Sequence, residues 1–295
     1  MKILLIANPS SGGSEGDTIA SVEDILAEAG DVKRLEPSLA GFNLEVTQAA
    51  RDAEMVVVAG GDGTFSRVVN AFETRLDELV FALVPTGTGN DLARTLDLSE
   101  DPAEAARTAI GGAERSIDVW RATGGGVQGL FVNACVGGFP VAMNEAVDQD
   151  MKARLGPLAF WVSGAKVAAN LPRSTVTLNG VEIHDCVAVG VGNGMTSGGG
   201  VRLWPQAVID DGILDACALP AADAAGAARL ALKVKGGAHG QLDGVETTRG
   251  PEIEVDSDPP IEINVDGELI GLTTPVTFEL AGHATIRVPA APLRR

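Results

Sequence analysis

Three short apolar runs constrain this chain more than any other feature: Ile3–Ala7, Met55–Ala59 and Val80–Val84. Each is about one strand long, apolar throughout, and followed by a glycine-bearing loop that leads into a helical pattern. A strand apolar on both faces must be covered on both, and helices placed between such strands impose parallel crossover connections. The helical patterns are explicit. Ile19, Val22, Ile25, Leu26 and Ala29 recur at helical spacing, and Phe65, Val68, Val69, Phe72 and Leu76 form one face of a second helix. After the third run, Leu92, Ala93 and Leu96 turn inward. Asp101-Pro102-Ala103-Glu104 then supplies a helix start, with an Asp cap and Pro at the first helical position, and Gly111-Gly112 closes that helix. The pattern predicts a doubly wound parallel-sheet α/β domain over residues 1–116.

From about Ile117 the pattern changes. Thr175–Leu178 and Val181–His184 alternate around Asn179-Gly180, the signature of a type I′ hairpin turn. Cys186–Val191, Leu214–Leu219, Glu252–Asp256, Ile261–Val265, Val276–Leu280 and Thr285–Val288 read as further short strands. Helical stretches interrupt them at Asn144–Asn170, broken near Gly156-Pro157, and at Asp223–Val234. This predicts an antiparallel β-sandwich over residues 117–282, with the tail 283–295 assigned to the first domain.

Composition narrows the function classes. Eight Phe, three Trp and no Tyr leave little for an aromatic platform that stacks nucleic-acid bases. A formal net charge of −18 also opposes nucleic acid and standing attachment to anionic lipid. Small anionic ligands stay open, because backbone N–H groups and a divalent cation offset charge locally. Cys135, Cys186 and Cys217 are far apart and form no CxxC pair, as expected of reduced thiols. The opening MKILLIANPSSGG carries an apolar run too short for a signal peptide, and no stretch has the length of a membrane span. The expected localisation is cytoplasmic.

In an open parallel sheet, ligands bind beyond the carboxyl ends of the strands. Three loops fall there: NPSSGG after the first run, GGDGT after Ala59, and PTGTGND after Val84. Each joins glycine to hydroxyl or amide side chains and opens a helix, so each offers N–H groups and a helix dipole to phosphate oxygens. Asp62, Asp91 and Asp118 lie at the same edge. Carboxylates beside polyphosphate make chemical sense when Mg²⁺ sits between them, although a lone Asp opening a helix, such as Asp91, also serves as a cap. There is no Walker-type G-x-x-x-x-G-K-[ST] and no GxSxG, and His184, His239 and His283 are scattered.

GGDGT, followed after a strand by PTGTGNDLAR, resembles the diacylglycerol kinase catalytic domain of the soluble bacterial lipid kinases. The second half agrees in order, with VGNGMTSGGGVRLWPQAVIDDGILD and then VDGE at Val265–Glu268. GGDG alone is shared with NAD kinases and 6-phosphofructokinases, so only the set of motifs is specific. The resemblance implies an ATP- and Mg²⁺-dependent kinase acting on a lipid hydroxyl in the cleft between the two domains. It implies ATP contacts at Asn8, Ser11, Gly12, Gly60, Gly61, Asp62, Gly63, Thr64, Ser66, Thr88 and Asn90. It places the catalytic metal with Asp62, Asp91 and Asp118, and makes Glu268 the general base with Asp266 beside it. A plain hairpin turn is the other reading of Asp266-Gly267. It further implies a structural Mg²⁺ held by the Asp211 carboxylate and the carbonyls of Val208 and Ile213, where a simple turn is again the alternative. An NAD kinase-like phosphotransferase and a catalytically impaired nucleotide-binding module are the competing readings.

The chain departs from its apparent relatives at Ser66 and Arg67, where they usually carry Asn and Glu. The Thr expected in the preceding strand is also missing, with Lys33-Arg34-Leu35-Glu36 near that place. Arg67 reads either as a phosphate contact or as a solvated helix residue. LGPLAFWVSGAKVAANL, Leu155–Leu171, reads as a buried helix or as a lipid-facing one, with Lys152, Arg154 and Lys166 near head groups. Transient membrane-surface contact, a homodimeric state and the identity of the lipid stay open.

Overall fold

The computed structural model describes residues 1–7, 15–138 and 172–290. The expectations for Asn8, Ser11, Gly12, Lys152, Arg154, Lys166 and the Leu155–Leu171 stretch lie outside these residues. The chain divides into two compact units, Met1–Val119 with Ala281–Arg295, and Trp120–Leu280.

In the first unit, β1 (Lys2–Ala7), β2 (Asp31–Leu35), β3 (Met55–Gly60) and β4 (Val80–Pro85) are the apolar runs and one more strand. They lie in the order β4-β3-β1-β2, all parallel, with Ala59 opposite both Ala7 and Val84. Ile3, Leu5, Met55, Val57 and Ala82 pack against α1 (Glu15–Ala27) and α5 (Pro102–Gly111) through Val22, Leu26, Ala105 and Ala106. The opposite face meets α3 (Asp62–Ala71), where Phe65 stands edge-on to Phe81 at 6.2 Å. Two helices, α2 (Phe42–Ala49) and α4 (Asp91–Thr95), complete the unit. Asp101 caps α5 as its sequence predicts: its Oδ1 accepts the Glu104 N–H at 2.9 Å.

The second unit is antiparallel. It contains β6 (Val127–Phe131), β7 (Ala134–Gly138), β8 (Ser174–Leu178), β9 (Val181–Gly192), β10 (Leu214–Pro220), β11 (Glu246–Gly250), β12 (Glu252–Asp258), β13 (Glu262–Val265) and β14 (Glu268–Thr273). The β8–β9 turn has Asn179 and Gly180 at φ 47° and 81°, the type I′ conformation that Asn-Gly favours. Trp120, Phe131, Val176, Val189, Ile253 and Phe278 are core residues of this unit. Helix α6 (Ala224–Lys235) begins at Asp223, whose Oδ1 accepts the Gly226 N–H at 2.7 Å.

Two strands each join two predicted ones: β9 takes in Val181–His184 and Cys186–Val191, and β15 (Val276–Val288) takes in Val276–Leu280 and Thr285–Val288. β5 (Ala113–Gly124), directly after α5, is not among the predicted strands. The Leu280-Ala281-Gly282-His283 stretch in β15 is exposed or half-buried, so the apolar pattern lapses while the backbone stays extended. β15 pairs antiparallel with β12 near its start and parallel with β4 near its end.

His239 is buried in a 3₁₀ turn over His239–Gln241 and is 2% exposed. Burial pushes its pKa below the usual 6.5, against a smaller opposing effect of a hydrogen bond to the Leu203 backbone. The unfolded state therefore binds the proton more readily, and stability is lost as pH falls below the unfolded value. We expect the unfolding midpoint to fall between about pH 7 and about pH 5, with a shallower slope in His239→Gln. Equal slopes for the two proteins, measured by circular dichroism melts, would refute this assignment.

Candidate functional site

The site in the first unit is built from the loops that leave β3 and β4. Gly60 ends β3 and Asp62 opens α3 at once, while β4 ends at Pro85 and the Thr86–Asn90 loop leads into α4. The two loops touch through backbone. A Cβ placed on Gly87 would stand 2.6 Å from the Gly61 Cα, so side chains are excluded there by contact. The Thr86 N–H donates to the Gly60 carbonyl at 3.1 Å and continues the strand pairing into the loops.

Asp62 locks this junction. Its Oδ2 accepts the Asp91 N–H at 2.8 Å and its Oδ1 the Leu92 N–H at 3.0 Å. These are two of the donors that a helix start leaves without intrahelical partners, so a side chain 29 residues away caps α4. Asn90, the residue before α4, sits in the left-handed region at φ 52° and donates its own amide to the Gly87 carbonyl at 2.8 Å. Asp91 is buried, with Oδ1 3.5 Å from Arg94 Nη1, and Arg94 also bonds Gly89 and Glu100.

The electrostatics follow from this burial. Desolvation pushes the Asp62 carboxyl above its usual range; the Asp91 and Leu92 N–H groups pull it down, and the Asp91 charge pushes it up again. The Oδ2 atoms of both residues lie within ordinary contact of a Cβ built on Gly89, at 3.5 and 3.7 Å. A cation there would relieve two close carboxylates, so Asp62 and Asp91 fit the donor set expected for Mg²⁺ alongside phosphate oxygens and water. Asp118 does not join them in a three-residue group: among the described residues no three His, Cys, Asp or Glu gather closely enough to hold an ion. Asp118 lies on β5, buried, with Oδ1 3.3 Å from His283 Nε2 on β15.

Ser66 and Arg67, the positions where the resemblance leads one to expect Asn and Glu, are both used in packing. Ser66 is buried within α3, and its backbone carbonyl accepts from the Asn70 amide at 2.8 Å. The Arg67 guanidinium lies 4.2 Å over the Phe42 ring and reaches toward the Leu39 carbonyl at 3.5 Å. Arg67 therefore ties α3 to α2.

In the second unit, Asp266-Gly267 forms the hairpin turn that the plainer reading expects. These residues turn β13 into β14 with φ 46° and 97°. The Asp266 carboxylate, however, points inward and is 4% exposed. It accepts N–H groups from Val132 at 2.8 Å, Asn133 at 3.0 Å and Ala134 at 2.8 Å, and its own N–H donates to the Ala134 carbonyl at 2.9 Å. Asn193 and Asn133, which sequence reasoning missed, extend the network. The Asn193 amide donates to Val132 O at 2.8 Å, and the Asn133 amide to Thr196 O at 3.0 Å. Glu268 follows at the start of β14 with its side chain exposed, beside exposed Leu269 and Ile270.

The IDDG turn carries a different set of contacts from the one the resemblance implies. Asp211 Oδ1 accepts the Ile213 N–H at 3.0 Å, and Oδ2 meets Arg249 Nη2 at 3.2 Å.

With this geometry described, comparison with known proteins is informative. The diacylglycerol kinase catalytic domain matches residues 2–122, and the YegS C-terminal NAD kinase beta sandwich-like domain matches residues 134–288. The chain belongs to the YegS-like lipid kinase family. A "probable lipid kinase YegS-like" of Stenotrophomonas maltophilia K279a is 35% identical over 73% of this chain and 72% of its own length. A relative of the same name from Pseudomonas putida KT2440 is 35% identical over 82% and 76%. Among solved structures, a diacylglycerol kinase from Bacillus anthracis Sterne superposes with a TM-score of 0.75 at 28% identity, over 97% of this chain and 96% of that one. In this YegS-like kinase no helix among the described residues is long and apolar enough to cross a membrane.

The loop junction generates a stability prediction. Gly87→Ala forces backbone apart and should cost about 1–3 kcal/mol in urea unfolding. Gly89→Ala meets nothing closer than 3.5 Å and should cost clearly less. Equal losses would show that the Gly61–Gly87 contact does not shape the loops.

Proposed function

We propose that this kinase transfers the γ-phosphoryl of ATP to the hydroxyl of a diacylglycerol-like lipid. The observation that carries the reading is the Asp62 clamp: it fuses two glycine loops into one backbone surface at the carboxyl ends of parallel strands. Gly60, Gly61, Gly63, Thr64, Thr88 and Asn90 would meet the phosphates there. Asp62 and Asp91 would hold Mg²⁺, which when bound supplies charge neutralisation on the phosphate oxygens.

Glu268 is the proposed base. Its exposed carboxylate would take the proton of the lipid hydroxyl as that oxygen bonds to the γ-phosphorus and ADP leaves. Asp266 is saturated by three N–H donors, and its proposed role is to hold the β13–β14 turn so that Glu268 is presented in one place. The exposed Leu269 and Ile270 beside it suit an acceptor with acyl chains. Positioning and electrostatics supply most of the barrier reduction in such transfers.

The test is transfer from γ-labelled ATP to a total lipid extract, with the product identified. Glu268→Gln should lower kcat by about 10²-fold or more with the circular dichroism spectrum kept. Undiminished turnover in that variant removes Glu268 from the reaction. Label appearing in NADP from NAD, and in no lipid, would replace the lipid reading with the NAD kinase one.

A further inference from the structure

We propose that the Ile209–Ile213 turn is held by an internal cation, the Arg249 guanidinium, where family resemblance implies a structural Mg²⁺. The implied ion would draw on one charged ligand, the Asp211 carboxylate, with the Val208 and Ile213 carbonyls. Asp211 Oδ2 meets the Arg249 guanidinium at 3.2 Å, so an ion on this carboxylate would stand against a fixed positive charge, while Oδ1 accepts the Ile213 N–H at 3.0 Å. The same guanidinium reaches a second carboxylate, with Nε 3.0 Å from Asp215 Oδ1.

The sheet register delivers Arg249 to this place. In the β10–β11 ladder Leu214 pairs with Gly250, Asp215 with Arg249 and Ala216 with Thr248. Arg249 and Asp215 are thus directly opposed, the arrangement in which cross-strand charges of opposite sign pair. From that position the planar fork spans both carboxylates, a geometry that a lysine cannot copy. Gly212, at φ 69°, lets the backbone fold so that Asp211 reaches back to the Ile213 N–H.

Charge decides between the two cations. The Asp215 side chain is 12% exposed, and a buried carboxylate needs its partner close by. A guanidinium attached to the chain supplies that partner with no binding equilibrium. Mg²⁺ sheds water reluctantly, and here it would have to share Asp211 and its neighbour Asp215 with a fixed positive charge already paired to both. Asp211 is on this account a structural residue, and the turn is independent of metal. The inference concerns the second unit alone and does not require kinase activity.

The test uses the full-length protein without nucleotide, melted in EDTA and in millimolar MgCl₂. The wild-type midpoint should carry no Mg²⁺-dependent rise that Asp211→Asn removes. Arg249→Ala should lower the midpoint in both buffers, and its effect should shrink when Asp211 is already Asn, because the two residues act as a pair. A rise in wild type that Asp211→Asn abolishes would overturn the proposal, as would an unchanged midpoint in Arg249→Ala. Any Mg²⁺ effect that survives Asp211→Asn belongs to another site and agrees with the proposal. Should Arg249→Ala fail to fold, wild type and Asp211→Asn in the two buffers decide the question by themselves.

Discussion

The loop junction of the first unit depends on one carboxylate capping a helix that is not its own. Asp62 opens α3, yet its two oxygens take the first N–H groups of α4. It adds a side-chain anchor to the backbone links between the two loops, the Gly61–Gly87 approach and the Thr86–Gly60 hydrogen bond. This explains why an acid stands where phosphate-binding loops commonly carry a lysine. In the proposed function backbone N–H groups and helix dipoles would face the anion, and the acid's first task is to hold them in place.

The second unit repeats the device. Asp266 gathers three N–H groups from the β6–β7 connection, and Asp211 gathers one from its own turn while pairing with Arg249. A chain with net charge −18 thus uses several of its carboxylates as internal acceptors. Hydrogen bonds to charged acceptors are stronger than those between neutral groups, and a glycine-rich loop needs such anchors because its backbone has the most freedom to lose. In this protein, residues proposed for function also rigidify the loops.

How much of this was legible in the sequence depended on the range of each interaction. The parallel sheet was readable because its strands are apolar throughout, and the Asn179-Gly180 turn because its conformation is local. The cap at Asp101 followed for the same reason. β11 (ETTRG) has no apolar residue, and β6 (VQGLF) and β14 (ELIGLT) are each interrupted by glycine and lack strict alternation, so their pairing partners define them rather than their own pattern. Long-range partners were invisible. Nothing in the local sequence says that Asp62 caps a helix 29 residues on, that Arg67 lies on Phe42, or that Arg249 faces Asp215. The catalytic candidates could be named from their motifs, but the division between Asp266 as holder and Glu268 as exposed acid needed the fold.

The most direct test of the Asp62 clamp is amide hydrogen exchange at Asp91 and Leu92 in the nucleotide-free protein. The account predicts that both amides are protected in the wild type and lose that protection together in Asp62→Ala, while the β3 amides stay protected. Rapid exchange at both sites in the wild type, or undiminished protection in Asp62→Ala, would contradict it.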